Sequence, residues 1–409
     1  MSGNLASAAP DVLVLGDGPA ATAFAAAAAR AGASVVMVGP GTAWAPTYSA
    51  WADTLSHDVL DAATEARWTH AEVHLGGAVR TLARPYVKLD VVALRAHLRE
   101  AARSAGVVER VGRAVEIDAS QSVSRVRLGE GDELSARLVV DARGAGATGG
   151  RVTRWQTAHG RLVDLAPGSA RLDSLRWMDF SPSDEAGPPS FLYALPLGGE
   201  RLFVEETVLV GAEVEDGLLA ARLERRLARM GLRVGAVHAV EHCRIPMNLP
   251  LPTVDAALLP FGSAAGMVHP ATGFMVARCL AEADPLANVV VATLRCGSGR
   301  DAARAGWSAL WTPERRLARA LHLYGAEVLS GMTGDELRLF FLHFFALPET
   351  RWRAFLDGAD AGTTASTMLA LFARAPSNVR KCLISRALFP ASFARLPSPD
   401  DLPSLPEVS

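Results

Sequence analysis

The sequence predicts an α/β protein: a parallel-sheet domain with a glycine turn for a nucleotide, a β-rich second domain, and a helical C-terminal region. Three observations predict it. An unbroken apolar run at the chain start leads through a glycine turn into an alanine-rich stretch and a second apolar run. Extended segments with turn residues between them fill the middle of the chain. A second glycine-rich segment then follows an apolar strand and opens a long helical stretch. With 409 residues, half of them hydrophobic, the chain has length for two or three domains and material for a large core.

The elements follow in order. Asp11–Leu15 (DVLVL) reads as a strand covered on both faces. Gly16–Pro19 is a turn, Ala20–Ala31 is a strong helix former ended by Gly32, and Ser34–Val38 is the next strand, which completes a βαβ unit. Residues 90–105 have helical periodicity with Asp90 at the N-cap. Extended stretches near 107–117, 123–128 and 137–141 follow. From Arg151 polar loops such as Ser181–Pro189 separate strands, and 191–197 and 201–209 read as a hairpin turning at Gly198-Gly199-Glu200. Residues 215–231 are helical and basic on one side, 255–262 form an apolar strand, 272–297 a long helix, and the chain beyond about 300 is mainly helical. The tail from Ser398 is rich in Pro and acids and is expected to be disordered. The expected division is 1–150 and 251–300 for the nucleotide-binding domain, 151–250 for the β-rich substrate domain, 301–397 for the helical region and 398–409 for the tail.

Composition removes several function classes. The 41 basic and 43 acidic residues leave a net charge of −2, without the basic excess of a nucleic-acid binder. Cys243, Cys279, Cys296 and Cys382 form no C-x-x-C pair and no zinc spacing, so buried free thiols in a reducing compartment are expected, and no metal. The N-terminus lacks the basic region of a signal peptide, and no segment has the length of about 18 uncharged apolar residues needed to span a bilayer. The expectation is a cytoplasmic protein that meets a membrane, if at all, at its surface.

Gly16-Asp17-Gly18-Pro19-Ala20-Ala21 is a G-x-G-x-x-A turn in the strand–helix context that a pyrophosphate needs. The first glycine makes the turn, the second admits the phosphates, and the small sixth residue lets helix and strand approach. The helix N-terminus offers amides and partial positive charge. The acid expected at the end of the second strand is missing, because Gly39 stands there and no Asp or Glu follows until Asp53. The second turn, with Gly262, Ser263, Gly266, Met267, Gly273 and Phe274, also follows a strand and opens a helix, where backbone amides can meet the far half of a dinucleotide. The two turns together favour a Rossmann-like FAD-binding domain over a simple NAD dehydrogenase.

Several segments in order resemble the lycopene β-cyclases, FAD-dependent carotenoid cyclases of bacteria and plants. They are Ser49-Ala50-Trp51-Ala52-Asp53, Arg84-Pro85-Tyr86-Val87-Lys88-Leu89-Asp90 and Val140-Asp141-Ala142-Arg143-Gly144. The most specific are Phe191-Leu192-Tyr193-Ala194-Leu195-Pro196 with Arg201-Leu202-Phe203-Val204-Glu205-Glu206-Thr207, similar to the family's F-L-Y-A-x-P and F-L-E-E-T. Ile245-Pro246-Met247, Leu249-Pro250-Leu251-Pro252 and Gly262–Arg278 continue the series, and Phe340-Phe341, Phe344-Phe345 and Trp352 are also similar. The resemblance covers most of residues 10–357. Gly39, Ala21 and Ser49-Ala50 depart from the family pattern.

The resemblance implies a redox-neutral isomerisation. An acid protonates the terminal alkene of an isoprenoid polyene, a cation closes the ring, and a proton leaves, with reduced FAD bound and NADPH as its reductant. It implies Glu205 as the acid, supported by Glu206, and it places Asp141 and Gly144 at the cofactor. Adjacent strand residues face opposite ways, so only one of the two glutamates is expected to aim at substrate. Burial and a second carboxyl raise a carboxyl's pKa and keep the acid protonated. Asp53 is read either as a hydrogen-bonding group of the site or as a polar loop residue. His269 is read as pocket or structural. Arg278 is read as a solvated helix residue or a partner for an anion. Trp51, Tyr193 and Phe203 are read as cation-stabilising pocket walls or as core. The aromatic segment 339–356 is read as core or, preferred here, as a membrane-dipping patch or tunnel mouth for an insoluble substrate. Other readings stay open: a cyclase of a non-carotenoid terpenoid or meroterpenoid, a flavin monooxygenase or prenyl reductase, and a non-catalytic isoprenoid binder.

Overall fold

A computed structural model describes residues 9–119, 123–145, 153–181, 187–358 and 360–385. The chain folds as an α/β protein around a five-stranded parallel sheet ordered Leu258–Pro260, Leu138–Asp141, Val12–Leu15, Val35–Gly39, Val108–Val111. Val12–Leu15 is central and wholly buried, as its unbroken apolar run requires. Helix Pro19–Arg30 fits its alanine-rich sequence: its small side chains let it lie tight against the sheet and against helix Val276–Cys296, with Phe24 and Phe261 in contact at 5.4 Å. Helix Val91–Ser104 starts where Asp90 accepts the amides of Val92 and Ala93. A three-stranded antiparallel sheet (Ala114–Asp118, Ser124–Leu128, Glu133–Ala136) covers one side of the parallel sheet.

The second sheet has seven strands, ordered Val234–Pro246, Trp155–Leu165, Arg201–Gly211, Phe191–Gly198, Arg176–Asp179, Ala71–Leu75, Ala78–Leu82. The hairpin Phe191–Gly198/Arg201–Gly211 turns at two positive-φ glycines, Gly198 and Gly199, as its sequence indicates. One face of this sheet packs on helix Asp216–Arg229 through Val163, Leu192, Val204, Leu223 and Leu227. The other face forms a larger, aromatic-rich core with the C-terminal helices. A short sheet of Ser49–Trp51, Tyr86–Leu89 and Thr64–Trp68 borders that core.

Several expectations need correction. The segment 1–150 does not belong wholly to the nucleotide-binding domain, because Ala71–Leu75 and Ala78–Leu82 join the seven-stranded sheet, and Ala71–Leu75 pairs in parallel with Arg176–Asp179. The aromatic segment is not an exposed patch. Phe341, Phe344, Phe345, Leu347 and Trp352 are buried on the large sheet, and Phe340 is only partly exposed. Helix Gly334–Phe344, which carries its first half, is fixed at its start by a capping box between Thr333 and Glu336. Of the four free cysteines only Cys279 is fully buried, and Cys296 is exposed at the end of its helix. Among the described residues no helix is long and apolar enough to cross a membrane. The tail from Ser398 and part of the loop Ser181–Pro189 lie outside the described residues.

Candidate active site

The register of the large sheet sets Tyr193, Glu205, Gly160 and Glu241 side by side on four adjacent strands. Laterally paired residues share a face, so all four look into the aromatic core, and the Cα atoms of Glu205 and Glu241 lie roughly 10 Å apart across Gly160. Gly160 is needed in this row. A Cβ there would stand 3.0 Å from Phe203 Cζ and 3.5 Å from Glu205 Oε2, so the Phe203 ring and the carboxyl both lean over the space that the glycine leaves.

Glu205 is partly buried. The Thr207 hydroxyl donates to its Oε1 at 2.7 Å, and it has no ion pair among the described residues. Burial first, and then the like charge of Glu241, push the Glu205 carboxyl up from 4.5 to about 7 against the opposing Thr207 bond. Glu241 accepts the Thr47 amide at 3.0 Å. With burial it also pushes the Tyr48 hydroxyl up to about 12. Sequence reasoning missed Glu241, because only strand register places it beside Glu205.

Glu206 points through the sheet to the other core. It is fully buried, accepts Arg226 Nε at 2.8 Å and Nη2 at 2.9 Å, and takes the Ser190 hydroxyl at 2.6 Å. The charge that supports Glu205 is therefore not its sequence neighbour but Glu241.

The rings around Glu205 form a continuous lining. Tyr193 meets Phe203 at 6.3 Å and Tyr86 at 6.5 Å, and its hydroxyl donates to that of Tyr86 at 3.1 Å. Trp51 meets Tyr86 at 4.9 Å and Trp177 at 5.0 Å. Phe274, expected at the cofactor, lies 6.4 Å from both Tyr86 and Trp177, among the rings of the large-sheet core. Burial raises the Tyr86 and Tyr193 hydroxyls well above their ordinary range, so both stay neutral. Asp53 faces Arg84, which donates from Nε at 2.9 Å, and pairs also with Arg353. Arg84 is buried, stacks 5.0 Å over Trp51 and bridges to Asp357 at 2.9 Å. Asp53 thus belongs to an ionic clamp behind Trp51 that ties the short sheet to the C-terminal helices.

His269 sits against His322 at 4.6 Å. Burial, then the neighbouring His322 and Arg278, hold it well below its usual pKa, so it is neutral, and its Nε2 is buried without a hydrogen-bond partner among the described residues. Arg278 is not a solvated helix residue. It is largely buried, 4.8 Å over the Trp311 ring, and burial lowers its pKa.

The nucleotide turns fit a dinucleotide. Gly16 has φ 111°, and a Cβ there would strike the Ala142 carbonyl at 2.6 Å. A Cβ on Gly18 would meet nothing within 4 Å, so the space over the turn is open. Helix Pro19–Arg30 has no side-chain cap and no acid in its first turn, which leaves its amides for an anion. Ala20 and Ala21 are buried beneath it, and a Cβ on Gly262 would approach the Ala20 Cβ to 3.0 Å, so the two turns are in contact. Gly262 and Gly266 both take positive φ around Ser263, and the Gly262 amide points to Met267 Sδ at 3.2 Å. Gly273 has φ 75° and abuts Gln156. Asp141 is bound by Arg143 at 2.9 and 2.8 Å, and Gly144 faces open space.

The family described as lycopene cyclase protein matches residues 11–381. The chain belongs to the lycopene cyclase family. An uncharacterized carotenoid cyclase of Deinococcus radiodurans is 38% identical over 95% of this chain and 96% of its own length. The lycopene beta cyclase of Synechococcus elongatus is 34% identical over 90% and 94% of the two chains, and the chloroplastic lycopene beta cyclase of Solanum lycopersicum 31% over 85% and 74%. Among solved structures, a geranylgeranyl bacteriochlorophyll reductase-like protein of Thermoplasma acidophilum superposes with TM-score 0.67 over 92% of this chain and 99% of its own at 16% identity. A probable FAD-dependent monooxygenase of Pseudomonas aeruginosa gives 0.56 over 80% and 99% at 20% identity. These two likenesses show the fold alone.

Proposed function

We propose that this lycopene cyclase family member closes an ionone-type ring on the end of a lycopene-like polyene by proton transfer from Glu205, with FAD bound. The observation that carries this reading is a carboxyl with no cation partner among the described residues, pushed up to about 7 by burial and set in a wall of aromatic rings. A general acid with a pKa near the working pH is matched to its task, and each proton it delivers to a terminal alkene generates a tertiary carbocation. Tyr86, Tyr193, Phe203 and Trp51 then offer ring faces to that cation while excluding water that would quench it. Thr207 fixes the carboxyl's rotamer, and Glu241 keeps its proton in place. The carboxylate left on Glu205 is the base nearest the ring and can take back a proton from the adjacent carbon, which closes the cycle without net oxidation.

The amides that begin helix Pro19–Arg30 would hold the FAD phosphates, and the Gly262–Gly266 turn, which touches the first turn at Ala20, would abut the cofactor. In its reduced form, which NADPH would supply, the flavin contributes negative charge near the cation. A surface cavity of about 480 Å³ lined by Pro188, Leu209, Leu218, Leu329 and Leu337 supports a route for an apolar chain. Leu209 is on the face of its strand that carries Glu205, four residues and roughly 13 Å farther along.

Expression in a lycopene-accumulating bacterial host tests the reading. Conversion of the red pigment to cyclised carotene by the natural sequence, and not by Glu205→Gln, is expected. Unchanged lycopene with both, the FAD-loaded protein being present, would move the substrate to another isoprenoid. Product in proportion to NADPH consumed would move the reaction to oxygenation or reduction.

A further inference from the structure

The strand-end acid that holds an adenosine ribose in this fold is missing at Gly39, and the structure shows what stands in its place. A Cβ built on Gly39 would lie 2.4 Å from the Cβ of Asp17 and 2.5 Å from its Cγ. The Asp17 side chain therefore starts where the side chain of an acid at position 39 would start. The two cannot coexist, which explains the glycine. Asp17 is the second residue of the phosphate turn and is almost fully buried there. Its Oδ2 accepts the Gly41 amide at 2.9 Å, so the carboxylate is fixed against the chain leaving the second strand. Arg99, 3.6 Å from Oδ2 and also paired with Glu109, offsets its charge. Among the described residues Oδ1 accepts no hydrogen bond, which leaves it open to a ligand.

Given the FAD-binding reading proposed above, we infer that Asp17 replaces the missing strand-end acid and holds the hydroxyls of the adenosine ribose of FAD. A carboxylate accepts two ribose hydroxyls as well from the turn as from the strand, provided that its oxygens arrive at the same place. Charge-assisted hydrogen bonds of this kind are worth about a tenfold to hundredfold change in affinity.

The test is titration of the FAD-free full chain with FAD, and with an FAD analogue whose adenosine ribose lacks its 2′ and 3′ hydroxyls, by calorimetry or flavin fluorescence. The natural sequence should bind FAD about tenfold or more tighter than the analogue. Asp17→Ala should lose that preference, binding FAD about as weakly as the analogue. The exchange Asp17→Gly with Gly39→Asp should restore both affinity and preference, while Gly39→Asp alone, which forces the two side chains together, should lower the melting temperature. A loop-tethering role alone would weaken both ligands equally. Retention of the natural preference by Asp17→Ala, or absence of any preference in the natural sequence, would overturn the inference whether or not the variants fold well. Failure of the natural sequence to bind FAD at all would remove the cofactor reading itself, and the inference with it.

Discussion

Replacing Glu205 by Gln keeps the shape of a neutral carboxyl and removes its titration, so it separates a desolvated acid from an ordinary surface glutamate. The folded chain holds the Glu205 proton up to about pH 7, whereas the unfolded chain releases it near 4.5. Because the folded value is raised, the protonated group favours folding most at low pH, and this contribution is lost as pH rises from about 4.5 through 7. At about 1.36 kcal/mol per pH unit the gap amounts to roughly 3 kcal/mol, the cost of forcing a carboxylate into the aromatic core. Glu205→Gln should therefore be nearly neutral for stability at pH 4.5 and stabilising by about 3 kcal/mol at pH 8.5, while it lowers cyclisation by about a hundredfold or more. Urea unfolding of both proteins at the two pH values, followed by tryptophan fluorescence, reads the difference. Equal stability differences at both pH values would refute the claim that the core holds this carboxyl protonated.

Other perturbations follow from the same geometry. Glu241→Gln removes the like charge across Gly160, so the high-pH limb of the activity profile should move to lower pH; an unmoved limb would mean that the two carboxyls do not interact. Glu206→Ala breaks the buried pair with Arg226 and should cost about 3 kcal/mol of stability, read by denaturant unfolding, with pigment conversion per folded molecule near normal. Gly160→Val would push on Phe203 and the Glu205 carboxyl and should reduce activity about tenfold to a hundredfold, since small misplacements of an acid are expensive in rate. His269 is held neutral, so a pH profile between 5.5 and 8 should be the same for His269→Gln and the natural sequence apart from a scale factor.

Local patterns in the sequence carried the parallel-sheet core, the hairpin and the start of helix Val91–Ser104, because each depends on neighbours along the chain: apolar continuity, turn glycines, an N-cap aspartate. Strand alternation also separated Glu205 from Glu206. Long-range pairing was not legible. Trp155–Leu165 carries Gln, His, Gly and Arg, and Val234–Pro246 is an edge strand with exposed positions, so neither shows a clean apolar alternation. Without those two strands, Gly160 and Glu241 could not be placed beside Glu205, and the second carboxyl was assigned to Glu206 by adjacency. Residues 71–82 join the seven-stranded sheet through a partner strand, Arg176–Asp179, that is distant in sequence. The aromatic segment 339–356 was ambiguous because a ring-dense helix serves equally as core or as membrane contact, and only burial decides.

In the proposed reaction a proton from the Glu205 carboxyl starts ring closure. That proton exchanges with water, so the most direct measurement is mass spectrometry of the carotene formed from lycopene by the FAD-loaded, reduced protein in D2O. One solvent-derived deuterium in each new ring, with Glu205→Gln forming no labelled ring, is the predicted result. Rings that form without deuterium, or that form with label at the natural rate in Glu205→Gln, would contradict it.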